Sequence, residues 1–240
     1  MHEREKYLIR KKLEKVPDLL KLLEKNDVIL AGGAITSIFS EQPIRDFDLY
    51  FGDKDKITTV CKWFDKKMHR ITQTARAVSY EYIRKKEKIY LKFQLITIPD
   101  TYDGHDNIFR RFDFTICMGA YYFECDKFAF HPEFFKHLAQ RKLFFNPNTL
   151  YPINSLIRVK KYLARGYTIS GSDLLKLGLT ISNLKMDTLG DLKEQMEGID
   201  TIFLKELTDA LRDRSKERYD FDLAMELIQE YLNKYYDLEE

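Results

Sequence analysis

The 240-residue sequence has no cysteine pair at metal or disulfide spacing, no membrane-length apolar run and no excess of one charge. Cys61, Cys117 and Cys125 lie far apart or in apolar runs and form no Cys-x-x-Cys, which argues against a disulfide framework or zinc site and for a reducing compartment. His105 and His131 are solitary, without a third ligand nearby. The start, MHEREKYLIRKK, has no apolar core of a signal peptide, and no stretch approaches the roughly 20 apolar residues of a membrane span. A cytoplasmic location is expected. A net charge of +2 neither requires nor forbids a nucleic-acid partner, because a basic face can sit inside a balanced total. Internal repeats and low-complexity tracts are also missing.

With 44% hydrophobic and 14% aromatic residues the chain has enough apolar material for one large domain or two small ones. Leucines spaced through residues 4–25 predict a helix broken near Pro17. Val28-Ile29-Leu30 reads as a short strand closed by Gly32-Gly33, and Ala34 to Phe39 as a short helix. Asp46 to Phe51 alternates polar and apolar, a strand pattern. Lys54 to His69 reads as an amphipathic helix. Ala77 to Ile83 and Ile89 to Ile98 read as strands joined by the turn Arg84-Lys85-Lys86-Glu87-Lys88. Asp100 to Asp106 is a polar loop, and Phe112 to Phe123 is apolar with helix and strand both open. After Pro152 five helical patterns follow: Ser155 to Arg165, Ser172 to Leu177, Thr188 to Met196, Thr201 to Arg214 and Phe221 to Tyr236. Gly166, Gly171 and Gly198 stand near the breaks. This order predicts an α/β domain over 1–147, a mixed sheet with flanking helices, and a helical domain over 148–240.

Asp46 and Asp48 are two apart on a predicted strand and so emerge on one face. Adjacent carboxylates repel unless a cation lies between them, which suits two Mg²⁺ ions clamping a phosphoryl group. Gly32 and Gly33, between strand and helix, let backbone amides approach a phosphate. Ser37 and Arg45 are further candidate donors to a triphosphate. Gly-Gly alone is usually a turn and Asp-x-Asp alone usually surface decoration. The two in this order, about a dozen residues apart, are far more specific.

Ala31-Gly32-Gly33-Ala34 followed by Arg45-Asp46-Phe47-Asp48-Leu49 resembles motif A of class II CCA-adding enzymes and bacterial poly(A) polymerases, within the DNA polymerase beta-like nucleotidyltransferase superfamily. Arg111-Phe112-Asp113-Phe114-Thr115-Ile116-Cys117 is similar to their Arg-Arg-Asp-Phe-Thr-Ile-Asn ribose motif. Leu156-Ile157-Arg158-Val159-Lys160-Lys161-Tyr162 is similar to the segment opening their helical neck. The resemblance covers roughly residues 28–165. It implies a nucleotidyltransferase head with a helical neck and body, ATP or CTP as substrate, Mg²⁺ on Asp46 and Asp48, and nucleotide contacts from Arg111 and Asp113. It also implies an Asp/Arg base-reading pair on a neck helix, for which Asp209 and Arg212 are the candidates. Arg158, Lys161 and Arg165, on one face of the neck helix, are candidate RNA contacts.

The sequence also departs from that pattern. Phe112 replaces an arginine and Cys117 an asparagine, and Ile35-Thr36-Ser37 follows the glycines in place of Val-Arg-Asp. Where many superfamily members place a third carboxylate, the natural position here is Gln94, with Glu81 a weak substitute. Three functions are therefore expected to compete. The leading one is template-independent addition of nucleotides to an RNA 3′ end such as tRNA. The others are nucleotidylation of a protein or small molecule, and a non-catalytic nucleotide-binding role.

Overall fold

A computed structural model of the protein describes residues 1–74, 76–102, 104–196 and 202–235. The chain divides into two compact units, Met1–Asn148 and Thr149–Glu240.

In the first unit the chain runs α1 (Glu3–Leu13), α2 (Leu19–Lys25), β1 (Ile29–Ala31), α3 (Gly33–Phe39), β2 (Asp46–Tyr50), α4 (Lys54–Lys67), β3 (His69–Gln73), β4 (Ala77–Arg84), β5 (Ile89–Ile96), α5 (His105–Arg110), β6 (Gly119–Tyr122), β7 (Lys127–Phe130) and α6 (Phe134–Gln140). The seven strands form one mixed sheet in the order β3-β4-β5-β2-β1-β6-β7. β2 and β5 pair in parallel and the other neighbours antiparallel.

Alternation decides the two faces of this sheet. Phe47, Leu49, Val78, Tyr80, Leu91, Phe93 and Leu95 are buried in the main core. There α4 covers them with Ile57, Val60 and Phe64, which recur at helical spacing behind an Asp53 cap whose carboxylate accepts the Lys56 amide at 2.9 Å. Phe64 meets Tyr80 and Phe93 edge-on at 5.2 and 5.4 Å. Each large side chain buried this way contributes about 1.5–3 kcal/mol, so the in/out pattern fixes the register of the long strands. The opposite face carries Asp46 and Asp48. A smaller cluster of Ile29, Ala31, Tyr50, Ile108, Phe109, Met118 and Ala120 closes one end of it.

Several local expectations are corrected. The helix expected to reach His69 ends at Lys67, and His69 opens β3, whose five residues are all exposed. Its chain HRITQ has a single aliphatic residue, so no hydrophobic period marks it. The polar segment 100–106 contains a short 3₁₀ turn and the start of α5 at His105. The ambiguous stretch 112–123 is a 3₁₀ turn, Thr115–Cys117, followed by β6. β7 and α6 are two further elements that no pattern in the sequence announces.

The second unit is helical: α7 (Pro152–Leu163), α8 (Gly171–Ser182), α9 (Leu189–Gln195), α10 (Ile202–Asp213) and α11 (Phe221–Tyr235). Thr188 and Asp191 form a reciprocal capping box at the start of α9. Leu189, Leu192, Leu207, Leu211, Ala224 and Leu227 make its core. The expected helix ends at Thr201 and Tyr236, and the break at Gly198, lie outside the described residues. Among the described residues no helix is long and apolar enough to cross a membrane.

Candidate active site

β2 puts Asp46 and Asp48 on the face opposite buried Phe47 and Leu49, both carboxylates half-buried. The register fixes their neighbours. In the row of Asp48, Ala31 of β1 stands on one side and Gln94 of β5 on the other. In the row of Asp46, Lys92 of β5 comes first, then Glu81 of β4, then His69 of β3. Paired residues share a face, with strands about 4.8 Å apart. Gln94 is therefore the direct neighbour of Asp48. Glu81 lies two strands from Asp46 with Lys92 between them, so it is not placed as a third acid beside the pair.

The glycine turn closes over the same place. Gly32 sits at φ +84, a conformation that L side chains rarely adopt. A Cβ placed there would lie 3.5 Å from Asp48 Oδ2 and 3.4 Å from Phe112 Cζ. Around Gly33 nothing stands within 4 Å of such a Cβ, so that side of the turn is open. The turn is held from beneath. The Gly32 amide donates to Gly119 O at 3.2 Å, and the Ile35 amide donates to Gly32 O at 3.0 Å. Thr36 Oγ1 donates to Ile116 O at 2.7 Å. Ser37 is buried one turn further along α3, and Arg45 is exposed just ahead of β2.

The segment following α5 reaches this face through Phe112, which is edge-on to Tyr50 at 6.0 Å and tilted against Phe109 at 6.2 Å. Arg111 caps the end of α5. Asp113 is only 3% exposed, and its Oδ1 accepts the Phe114 amide at 2.9 Å. Cys117 is buried in the core. At the other end of α5, His105 Nδ1 lies 2.8 Å from the Tyr122 hydroxyl, which also accepts the His105 amide at 3.0 Å. Burial pushes the Tyr122 hydroxyl above its ordinary pKa, so it stays protonated in this contact.

One residue that carries no motif organises the loop. Asn146 donates its side-chain amide to Phe112 O at 2.7 Å and to Arg110 O at 3.1 Å, while its backbone amide donates to Asp113 O at 2.7 Å. It thus staples the stretch from Arg110 to Asp113. An asparagine in Phe145-Asn146-Pro147-Asn148 reads as a linker, and its partners are more than 30 residues away. Asn146→Ala removes two bonds, one exposed and one part-buried, and is expected to lower stability by about 0.5–1.5 kcal/mol for each bond that water does not replace. Nucleotide affinity should fall with it. Thermal melting and titration with a fluorescent triphosphate check both, and an unchanged variant removes this role.

The remaining candidates are in the helical unit. On α10, Arg212 Nη2 and Asp209 Oδ1 form an ion pair at 2.7 Å on a largely exposed face. Such a pair adds little to stability. Arg158 donates to the Tyr162 hydroxyl at 3.4 Å, and the guanidiniums of Arg158 and Arg165 each lie 5.9 Å from the Tyr162 ring centroid. Lys161 is exposed. The expectation that all three cations share one helical face is corrected. α7 ends at Leu163, and Arg165 sits in the following turn, its amide bonded to Tyr162 O at 3.0 Å.

A strand, a glycine turn over an acidic pair on the next strand, and a mixed sheet define the nucleotidyltransferase fold. Solved structures agree at the level of fold. The Thermotoga maritima CCA-adding enzyme complexed with tRNA is similar over 85% of this chain and 54% of that one, at 13% identity and a TM-score of 0.53. A CCA-adding enzyme complexed with ATP is similar over 85% of this chain and 53% of that one, at 11% identity and a TM-score of 0.52.

Family membership is more particular. The sequence profile of the Gabija anti-defense 2 family matches residues 3–141, more than half of the chain, and the chain belongs to that family. Gabija anti-defense 2 of Bacillus phage SPbetaL7 is 36% identical over 226 residues. That alignment takes in 92% of this chain but only 55% of the relative, so the chain spans about half the relative's length.

Proposed function

We propose that this chain transfers a nucleoside monophosphate from a triphosphate to a hydroxyl of a protein or small molecule, the hydroxyl oxygen replacing pyrophosphate on the α-phosphorus and its proton passing to solvent, and that this modification is how it opposes a defence. The observation that carries the reading is the 3.5 Å approach of the Gly32 Cβ position to Asp48 Oδ2, because it puts an open backbone turn beside a paired carboxylate. The family's name supports an acceptor belonging to a defence rather than to tRNA maturation. The departures at Phe112 and Cys117 from the tRNA-enzyme pattern point the same way.

The donor set suits one Mg²⁺. Among the described residues no three His, Cys, Asp or Glu side chains gather into a metal site. Asp46 and Asp48 with phosphate oxygens and water make an ordinary magnesium shell. Beside Asp48, the two ions expected from the superfamily would meet the neutral Gln94 where a third carboxylate is usual. When bound, Mg²⁺ neutralises phosphate charge and favours the deprotonated acceptor hydroxyl. The protein's own work is placement. The Gly33 amide faces the phosphate oxygens, the Gly32 amide being taken by Gly119 O; Phe112 offers a flat apolar surface beside them, and Asp46 and Asp48 fix the reacting end. The Asp209–Arg212 pair is assigned to base reading and Arg158, Lys161 and Arg165 to a polyanionic partner, both as parts of this proposal.

The test is incubation of the full chain with Mg²⁺ and ATP or CTP labelled at the α-phosphate. Three acceptor pools are offered separately: the proteins of a bacterial lysate, its small molecules, and total tRNA. Label in the first or second pool, absent with Asp48→Asn, is the expected result. Label on the tRNA 3′ end instead overturns the acceptor, and no label in any pool overturns the transfer.

A further inference from the structure

Strand β4 outruns its neighbour β3. His69, the first residue of β3, pairs with Glu81, and β4 continues through Tyr82, Ile83 and Arg84 beyond that point. On its other side this stretch is fully paired, Tyr82 with Leu91, Ile83 with Tyr90 and Arg84 with Ile89. Its outer edge has no strand beside it among the described residues. Outward N–H and C=O groups on such an edge are a ready template for an added strand.

The edge opens into a cleft of about 600 Å³. Val16 and Pro17 from the turn between α1 and α2 line it, with Met68 from the end of α4 and Tyr82 from β4 itself. Tyr82 is 8% exposed; its buried hydroxyl makes no hydrogen bond of ordinary length among the described residues, and the neighbouring Arg84 guanidinium lies 5.7 Å from its ring centroid. A buried hydroxyl left without a hydrogen bond is destabilising, and a ligand group bonding it would recover that cost. Ile83, by contrast, is 44% exposed although it sits in a strand. The cleft therefore combines an open strand edge, apolar lining and a buried hydroxyl with no hydrogen bond of ordinary length among the described residues.

Its charge is one-sided. Lys66, Lys67 and Arg84 line it against one acid, Glu81. Arg84 is offset by Glu87 at 3.1 Å, and Glu81 lies 4.0 Å from His69. Lys66 and Lys67 remain as exposed cations, with Lys15 just before Val16. An acidic ligand is favoured here. An extended peptide uses the strand edge as well as the charge, whereas a nucleic-acid strand uses only the charge.

We propose that the Tyr82–Arg84 edge and its adjoining cleft dock an extended acidic segment of a partner protein, which adds to the sheet in line with β3. The segment's alternate side chains enter the apolar lining, and its carboxylates meet Lys66 and Lys67. This surface is separate from the Asp46–Asp48 pair, and its occupancy does not depend on catalysis.

The probe is a fluorescein-labelled peptide of alternating Glu and Val, titrated against the full chain by anisotropy. The same peptide N-methylated at alternate amides, a Lys/Val peptide and a 12-nucleotide oligothymidylate are titrated in parallel. The Glu/Val peptide is expected to bind best, to lose binding on N-methylation and to protect the Tyr82–Arg84 amides from hydrogen exchange. Lys66→Glu with Lys67→Glu, both on an exposed helix end, should weaken it by about tenfold or more with the fold intact. Equal binding of the Lys/Val or N-methylated peptide, indifference to the charge reversal, or no peptide binding overturns the proposal. Binding of the oligothymidylate alone, lost in the same variant, assigns the surface to nucleic acid instead.

Discussion

Asp48→Asn is expected to lower nucleotidyl transfer on the order of 10³-fold, the scale at which losing the cation that would neutralise a transferring phosphoryl group is felt. Asparagine keeps the shape and takes away the negative charge. The side chain is half-buried between Ala31 and Gln94, and neither neighbour carries a charge that could replace it. Asp46→Asn should behave similarly, although Lys92 stands next to it and changes the local balance. Folding should survive both changes, because the core face of β2 is built from Phe47 and Leu49. Initial rates of label transfer, with thermal melts beside them, check the pair. Near-normal turnover in either variant would remove that residue from the chemistry.

Much of this site was legible because its signals are local. A two-residue repeat places Asp46 and Asp48 on one face, and glycines between a strand and a helix mark the turn. The apolar alternation of β4 and β5 is equally plain, and their pairing follows from the short charged turn. What could not be read is what register alone decides. That Lys92 adjoins Asp46, or that Glu81 falls two strands away, depends on β5 inserting in parallel beside β2, a pairing between residues 46 positions apart. Edge strands were hidden for a different reason. β3 is exposed on every residue, so no burial pattern is imposed on its sequence. Asn146 gave no signal either, since its work is to satisfy carbonyls of a distant loop. Membership of the Gabija anti-defense 2 family is written in no single motif here. The fold signals are shared with enzymes of other purpose, and a fold does not fix a function.

The two glycines of the turn should respond very differently to alanine. Gly32 sits at φ +84 and ψ −140, where an L residue incurs about 1–3 kcal/mol of backbone strain. The added methyl itself would meet Phe112 at 3.4 Å and Asp48 Oδ2 at 3.5 Å, ordinary contact distances, so the cost lies in the backbone and the turn must move to relieve it. For a chain of this size that strain corresponds to a fall in melting temperature of roughly 2–4 °C per kcal/mol. Gly32→Ala should therefore lower stability and triphosphate affinity together. Gly33 begins α3 with nothing within 4 Å of an added methyl, and alanine is the better helix former. Gly33→Ala should leave the melting temperature equal or slightly higher. If the open side of the turn is where phosphate approaches, the same methyl intrudes there and triphosphate affinity falls in a protein that is no less stable. Melting curves with and without a non-hydrolysable triphosphate separate the outcomes. A Gly33→Ala protein stabilised by the triphosphate as strongly as the unaltered chain would place the phosphates away from this turn.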